Sequence, residues 1–173
     1  MIYRPGEAIG PLTRNRYSDP EAQSAGGVRA QEALDAGRPP GAVSRLAAHF
    51  AFDRPELAVA YWTAEANRAC SRGDAGSLYL LLPHYYAIEM AAPVKAPMAV
   101  AGWVFQVIER GADPEPAIEE YWSPRETWRV WEYLGRDMTI VSEIGAPKDP
   151  TALALYLHLK DRKLVKAKWP LPG

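Results

Sequence analysis

The side chains best suited to chemistry in this chain are a glutamate and, far before it in the sequence, an arginine and a histidine that lie four positions apart. Glu132 lies between Trp131 and Tyr133, and a carboxylate in such an aromatic segment is expected to face solvent or a cleft. Arg45 carries a planar guanidinium that can hold a phosphate through two hydrogen bonds, or can be an ordinary salt-bridge partner. We also count His49 among the cofactor-binding candidates, although a histidine in this setting is more often a half-buried residue with its hydrogen bonds satisfied.

Several common catalytic and metal-binding motifs are absent from the sequence. It contains no Walker-type loop, no Gly-x-Gly-x-x-Gly and no Gly-x-Ser-x-Gly, so P-loop, Rossmann and α/β-hydrolase functions lack their motifs. The three histidines, His49, His84 and His158, share no metal-ligand spacing, and the single cysteine, Cys70, excludes a cysteine-based zinc site and an intramolecular disulfide. The sequence therefore predicts no bound metal and favours a reducing compartment.

Length and composition are those of an ordinary globular protein. The 173 residues predict a single domain over 1–173, with a core at 1–160 and a basic tail at 161–173. The net charge of −1 gives no general attraction to nucleic acid or to an anionic membrane. No signal-peptide pattern and no apolar run of about 18 residues is present, so a cytoplasmic location is expected, with export by other routes left open.

The segment 48–62 is the one around which the other predicted elements are arranged. Phe50 and Phe52 alternate as in a strand, Asp53 suits an N-cap, and Pro55 suits the first turn of a helix. We therefore predict a strand that ends near Phe52, followed at once by a helix over 54–71.

The other hydrophobic patterns predict an α+β fold and not a regular βαβ alternation. We expect a β-sheet core of about six strands with flanking helices. A split antiparallel or mixed sheet is what the family resemblance described below implies. Residues 7–27 lack periodicity and predict a loop that could act as a lid. The other predicted strands cover residues 1–4, 77–82, 85–90, 125–134 and 138–144, and the other predicted helices cover 28–36, 98–110, 114–122 and 150–160.

Several short pieces of the sequence resemble the ADP-ribosyltransferase fold. Tyr3-Arg4, the Phe50-Ala51-Phe52 strand with Tyr61 in the following helix, and Glu132 before a late strand resemble segments of poly(ADP-ribose) polymerase and rifampin ADP-ribosyltransferase catalytic domains. A closer resemblance, over residues 40–145, is to an uncharacterised bacterial family grouped with these folds. The pieces that carry it are Ser44-Arg45, Glu120-Tyr121-Trp122, Glu132-Tyr133-Leu134 and Ile140-Val141.

The resemblance implies that NAD is the substrate and assigns a role to each candidate residue. Arg4, Arg45 and His49 would hold NAD, and Tyr61 would stack on the nicotinamide. Glu132 would hydrogen-bond the nicotinamide ribose and stabilise an oxocarbenium-like state, since a carboxylate then lies where positive charge develops. Arg4, Tyr61 and Glu132 would meet at one cleft.

The same resemblance leaves the acceptor open. A macromolecule such as a protein is expected as the acceptor. Val130 stands where arginine-specific toxins carry a second Glu or Gln, and no Ser-Thr-Ser triplet is present, so an arginine acceptor is not implied.

Three functions therefore remain open from the sequence. The first is an NAD-dependent mono-ADP-ribosyltransferase or NAD glycohydrolase. The second is a catalytically inactive module of the same fold that binds a nucleotide or a protein. The third is an unrelated α+β interaction protein, in which Tyr61 is a core aromatic and Tyr121-Trp122 serves packing alone.

Overall fold

The computed structural model describes residues 3–13, 15, 17, 23–55, 57–58, 61, 85–125 and 128–144. These residues form three helices and six strands, which confirms the predicted α+β class, whereas the single split core of about six strands stays a prediction. The helices are α1 (Ala25–Ala36), α2 (Met98–Glu109) and α3 (Glu115–Trp122). The strands are β1 (Ala8–Ile9), β2 (His49–Ala51), β3 (Tyr85–Met90), β4 (Val94–Pro97), β5 (Trp131–Gly135) and β6 (Met138–Ile144).

The six strands form two three-stranded sheets with the orders β1-β6-β3 and β2-β5-β4. In the second sheet β5 is central and pairs antiparallel with both neighbours. Its register places Phe50 opposite Leu134, and Ala96 opposite Glu132. Since side chains alternate between the faces of a strand, Phe50, Leu134, Ala96 and Glu132 lie on one face of this sheet.

The chain divides into two compact units, and the candidate chemistry is concentrated in one of them. The first unit consists of Met1–Glu7, Phe52–Ile88 and Ile140–Gly173, and the second consists of Ala8–Ala51 and Glu89–Thr139. The helices α1, α2 and α3 and the sheet β2-β5-β4 belong to the second unit. The single domain expected from the sequence stays a prediction, and residues 145–173, with the basic tail, lie outside the described residues.

The core of the second unit forms where α1, α2 and α3 pack against one another and α3 meets β4. α1 begins at the N-cap Ser24, whose Oγ accepts a hydrogen bond from the Gly27 N–H. α1 ends at Gly37, where an added Cβ would collide with the side chain of Ile118, so the absent side chain allows α3 to approach closely. The buried apolar side chains of α1, α2, α3, β4 and β5 include Ala30, Leu34, Ala96, Val100, Val104, Ala117, Ile118, Tyr121, Trp122 and Leu134.

The predicted first strand over 1–4 is wrong for Tyr3 and Arg4, neither of which is in a strand. Pro5 and Gly6 form a turn in which Gly6 has a φ of 82°, a backbone conformation that glycine adopts readily. Backbone pairing with β6 begins at Gly6, whose N–H donates to the Ile140 carbonyl oxygen at 2.8 Å, and the Ile140 N–H donates to the Glu7 carbonyl oxygen at 2.9 Å. Arg4 is therefore exposed ahead of the sheet and not at the end of a strand.

Two other predicted elements have different bounds. The loop predicted over 7–27 contains β1 and the first turn of α1, because Gly26 and Gly27 continue the helix capped by Ser24. The strand predicted over 125–134 begins only at Trp131. The Trp128 indole N–H instead donates to Glu120 on α3 at 2.8 Å, which ties this segment to the helix.

Parts of the segment 48–62 have the structure that was predicted for them. β2 covers His49–Ala51, and Pro55, Leu57, Ala58 and Tyr61 are helical. Residues 62–71 of the predicted helix, the predicted strand 77–82 and the predicted helix 150–160 lie outside the described residues. In the part of the chain that the structure describes, every helix is too short or too polar to cross a membrane.

Candidate functional site

The candidate site is a buried group of four side chains from four different elements of the second unit. Glu132 is the second residue of the central strand β5, and Arg45 lies in the turn that precedes β2. Tyr121 is in the last turn of α3, and Gln31 is in the middle of α1. We call these four residues the Arg45–Glu132 cluster.

The cluster is joined by short hydrogen bonds that centre on the Arg45 guanidinium. Arg45 Nη1 lies 2.6 Å from Glu132 Oε1 and also donates to the Tyr121 hydroxyl. The Tyr121 hydroxyl in turn donates to Glu132 Oε1 at 2.7 Å. On the other side of the guanidinium, Arg45 Nε donates to Gln31 Oε1 at 2.6 Å. Gln31, Tyr121 and Glu132 are 14, 76 and 87 positions from Arg45 in the sequence. All three side chains thus meet at its guanidinium.

Both charges of the ion pair are removed from solvent. Arg45 is 2% exposed and Glu132 is 4% exposed, and Tyr121 is fully buried. The Arg45 Cζ atom lies 4.8 Å from the Phe50 ring centroid, 5.0 Å from that of Tyr121 and 5.2 Å from that of Tyr17. These rings surround the guanidinium at the distance of cation–π contacts, which partly replace the water that burial removes.

The electrostatics keep the arginine charged and the tyrosine neutral. Burial lowers the pKa of Arg45, but the negative Glu132 carboxylate opposes this, and the pKa of Arg45 is raised overall. Burial raises the pKa of Tyr121 well above its ordinary value of 10, with Arg45 acting in the opposite direction. Because the folded pKa is raised, the neutral Tyr121 phenol stabilises the fold fully below about pH 10, and this contribution is lost as the pH rises further.

Among the described residues, the hydrogen bonds to the Glu132 carboxylate are all made to one of its two oxygens. Within the described ranges, both donors to Glu132 end on Oε1, and Oε2 accepts no hydrogen bond. A buried carboxylate oxygen normally has a partner, from the protein or from water. Oε2 is therefore the atom of the cluster with capacity for a further donor, such as a ligand hydroxyl.

The structure brings together two of the five site residues chosen from the sequence, Arg45 and Glu132. The expectation that Glu132 faces solvent or a cleft is wrong, since its carboxylate is buried against Arg45. An aromatic strand can bury a carboxylate when a distant part of the chain supplies the counter-ion. For Arg45, of the two roles left open, the structure shows the salt bridge.

The other three site residues each have their own surroundings. His49 is buried, and its Nε2 lies 2.9 Å from the Gly10 carbonyl oxygen, as in the alternative of a satisfied histidine. Arg4 and Tyr61 belong to the first unit. Arg4 is exposed, and the Tyr61 ring lies 5.6 Å from that of Phe52. The convergence of Arg4, Tyr61 and Glu132 at one cleft stays a prediction.

Sequence reasoning missed Gln31 and assigned Tyr121 to packing. Gln31 lies on the buried side of α1, in the turn before Leu34, and a polar residue at such a position needs a buried partner. That position was the signal that could have identified it. Tyr121 stood in the Tyr-Trp pair, but nothing in the sequence distinguishes a packing tyrosine from one whose hydroxyl bridges an ion pair.

Comparisons with protein-family models, with curated proteins and with solved structures found no match to this chain. Among the described residues, no group of three or more His, Cys, Asp or Glu side chains is arranged to hold a metal ion.

Tyr121→Phe is expected to lower the free energy of unfolding by about 1–3 kcal/mol, because it removes one hydroxyl that bonds both members of a buried ion pair. The matched control is Tyr3→Phe, since Tyr3 is only partly buried and its hydroxyl forms no hydrogen bond to the described residues. Its effect should stay within about 0.5 kcal/mol. Urea denaturation of the two variants measures the difference, and equal small losses would contradict a bridging role.

Proposed function

We propose that the protein is an NAD-dependent mono-ADP-ribosyltransferase or NAD glycohydrolase in which Glu132 supports cleavage of the nicotinamide–ribose bond. The observation that carries this proposal is the direct contact, at 2.6 Å, between Arg45 and Glu132. Both residues come from separate pieces of the resemblance, 87 positions apart, and Tyr121 from a third piece joins them. A shared site would explain why these three pieces meet at one point.

The cluster supplies two of the groups that the resemblance implies for this reaction, a carboxylate and an arginine. As the bond to nicotinamide breaks, positive charge develops on the ribose, and a preorganised carboxylate in a site of low dielectric stabilises it. Glu132 Oε2 has the capacity to accept a hydrogen bond from a ribose hydroxyl. Arg45 would hold the pyrophosphate through its planar guanidinium.

The burial of the pair sets a condition on this proposal. With Glu132 4% exposed, the groups that cover it must move before a ribose can reach the carboxylate. Such opening is common in enzymes whose sites close over the substrate. Arg45 must also exchange part of its contact with Glu132 for the pyrophosphate.

The same burial favours a second candidate function, a catalytically inactive module of this fold that binds a nucleotide or a protein. In such a module the Arg45–Glu132 pair would join β5 to the turn before β2 and would never contact a ribose. An unrelated interaction protein would use the pair in the same way.

Incubation of the purified chain with NAD, followed by chromatographic measurement of free nicotinamide, tests the proposal. Nicotinamide release above the rate of spontaneous hydrolysis supports the enzyme. Binding of NAD or ADP-ribose by calorimetry, without release, supports the inactive module. Folded protein that shows neither release nor binding would contradict the enzyme and the nucleotide-binding form of the module, and would leave a protein that acts by binding other proteins.

A further inference from the structure

α1 contacts the Ser44-Arg45 segment at two points on one of its faces. Gln31 and Asp35 are four residues apart and therefore lie one above the other along the helix. Gln31 accepts from the Arg45 side chain, whereas Asp35 accepts from its backbone: Asp35 Oδ1 lies 2.6 Å from the Arg45 N–H nitrogen. The same oxygen accepts from Ser44 Oγ at 2.8 Å.

The stability of α1 itself does not explain why an aspartate is present at position 35. Asp35 is the penultimate residue of α1, near the negative end of the helix dipole, where an acidic side chain is unfavourable. Its neighbour Arg38 lies 3.8 Å away at an exposed position, a weak contact. The two short hydrogen bonds to Ser44 and Arg45 are the strongest contacts that the Asp35 carboxylate makes in the described structure.

We propose that Asp35 and Gln31 are positioning residues that set the direction of the Arg45 guanidinium toward Glu132. Asp35 fixes the backbone from which the side chain starts, and Gln31 fixes Nε, the last atom before the guanidinium fork. An arginine side chain has many rotamers, so two such contacts remove most of the alternatives. Hydrogen bonds to a charged partner are also the strong ones.

This inference rests on the proposed function for its effect on the reaction. If Arg45 holds the pyrophosphate, Asp35→Ala should raise KM for NAD by about tenfold and change kcat less, since the lost interaction is one of binding. A displacement of about 1 Å in a positioning group is enough for effects of this size. Asp35→Asn keeps an acceptor oxygen and should restore most of the affinity.

Nuclear magnetic resonance of the full ¹⁵N-labelled chain tests the positioning without any NAD. The Nε–H of Arg45, buried in a 2.6 Å hydrogen bond, should give a shifted cross-peak that exchanges slowly with water, identified by its loss in Arg45→Lys. Asp35→Ala should move this cross-peak and speed its exchange at least tenfold, the scale expected when a buried group gains access to water. Arg38→Gln, which removes only the exposed neighbour of Asp35, should leave it unchanged.

An unchanged Arg45 cross-peak in folded Asp35→Ala would overturn the proposal. If Asp35→Ala does not fold, Gln31→Leu gives the same test from the other contact, and an unchanged exchange rate there would overturn it equally. A moved cross-peak in a protein that neither binds nor cleaves NAD would support the positioning of Arg45 and remove the proposed function. The two ideas can thus fail separately.

Discussion

Glu132→Leu is expected to lower the free energy of unfolding by about 3–5 kcal/mol, because it leaves the Arg45 charge buried without its counter-ion. Arg45 is 2% exposed, donates to Gln31 and lies over the Phe50 ring, so its charge is held in the interior. A loss of this size is a large fraction of the stability of a typical domain. Urea denaturation followed by circular dichroism measures it.

The double replacement Arg45→Met with Glu132→Leu is the matched comparison. Apolar residues of similar volume often replace a buried ion pair without loss, and methionine packs well against aromatic rings such as Phe50 and Tyr17. We expect the double variant to recover most of the stability lost by Glu132→Leu alone. A recovery would mean that the fold does not require the pair, which favours a functional reason for it. Losses that simply add would show that Arg45 and Glu132 do not act on each other.

Glu132→Gln is expected to reduce nicotinamide release by about a hundredfold or more, the scale of losing one preorganised electrostatic group. Glutamine keeps the shape and an acceptor oxygen but removes the charge that stabilises the oxocarbenium-like ribose. NAD affinity should change little, because the charge acts mainly as the bond breaks. Steady-state rates of nicotinamide release, with calorimetric NAD binding, separate the two quantities.

Glu120→Gln is the control for this effect. Glu120 is also a buried glutamate in the second unit, but it accepts hydrogen bonds from Trp128 Nε1 and the Arg125 N–H and is not part of the ion pair. Its replacement should leave turnover of the folded protein within a few-fold of wild type. Equal losses in the two variants would assign the effect of Glu132→Gln to general disturbance of the core and would contradict a catalytic role.

The elements whose bounds were predicted well have a repeating apolar pattern and are flanked by turn residues. β3 and β6 have the predicted bounds, and α2 ends within one residue of its predicted end at Arg110. Proline and glycine mark their flanks, and local sequence is sufficient to read such signals. The strand predicted over 1–4 is wrong at Tyr3 and Arg4, because a short apolar segment carries no information about where its partner strand begins.

The site was predicted as separate residues and not as a cluster. The residue types of Arg45 and Glu132 identified each as a candidate, yet no local pattern indicates that residues 87 positions apart will form a salt bridge. The pairing depends on the register of β2 with β5 and on the position of α1. Both are tertiary features that a single sequence does not specify, so the sequence could not predict that Glu132 would be buried.

The strand order β2-β5-β4 also has a consequence during synthesis of the chain. Among the described strands, β2 and β4 pair only with β5, and β5 is made last of the three. Until residue 135 has left the ribosome, β2 and β4 therefore have no central strand to join them. Contacts between such distant segments form slowly, and strands without partners readily pair with other chains. We therefore expect a nascent or truncated chain that stops before Trp131 to expose β2 and β4 without their central strand.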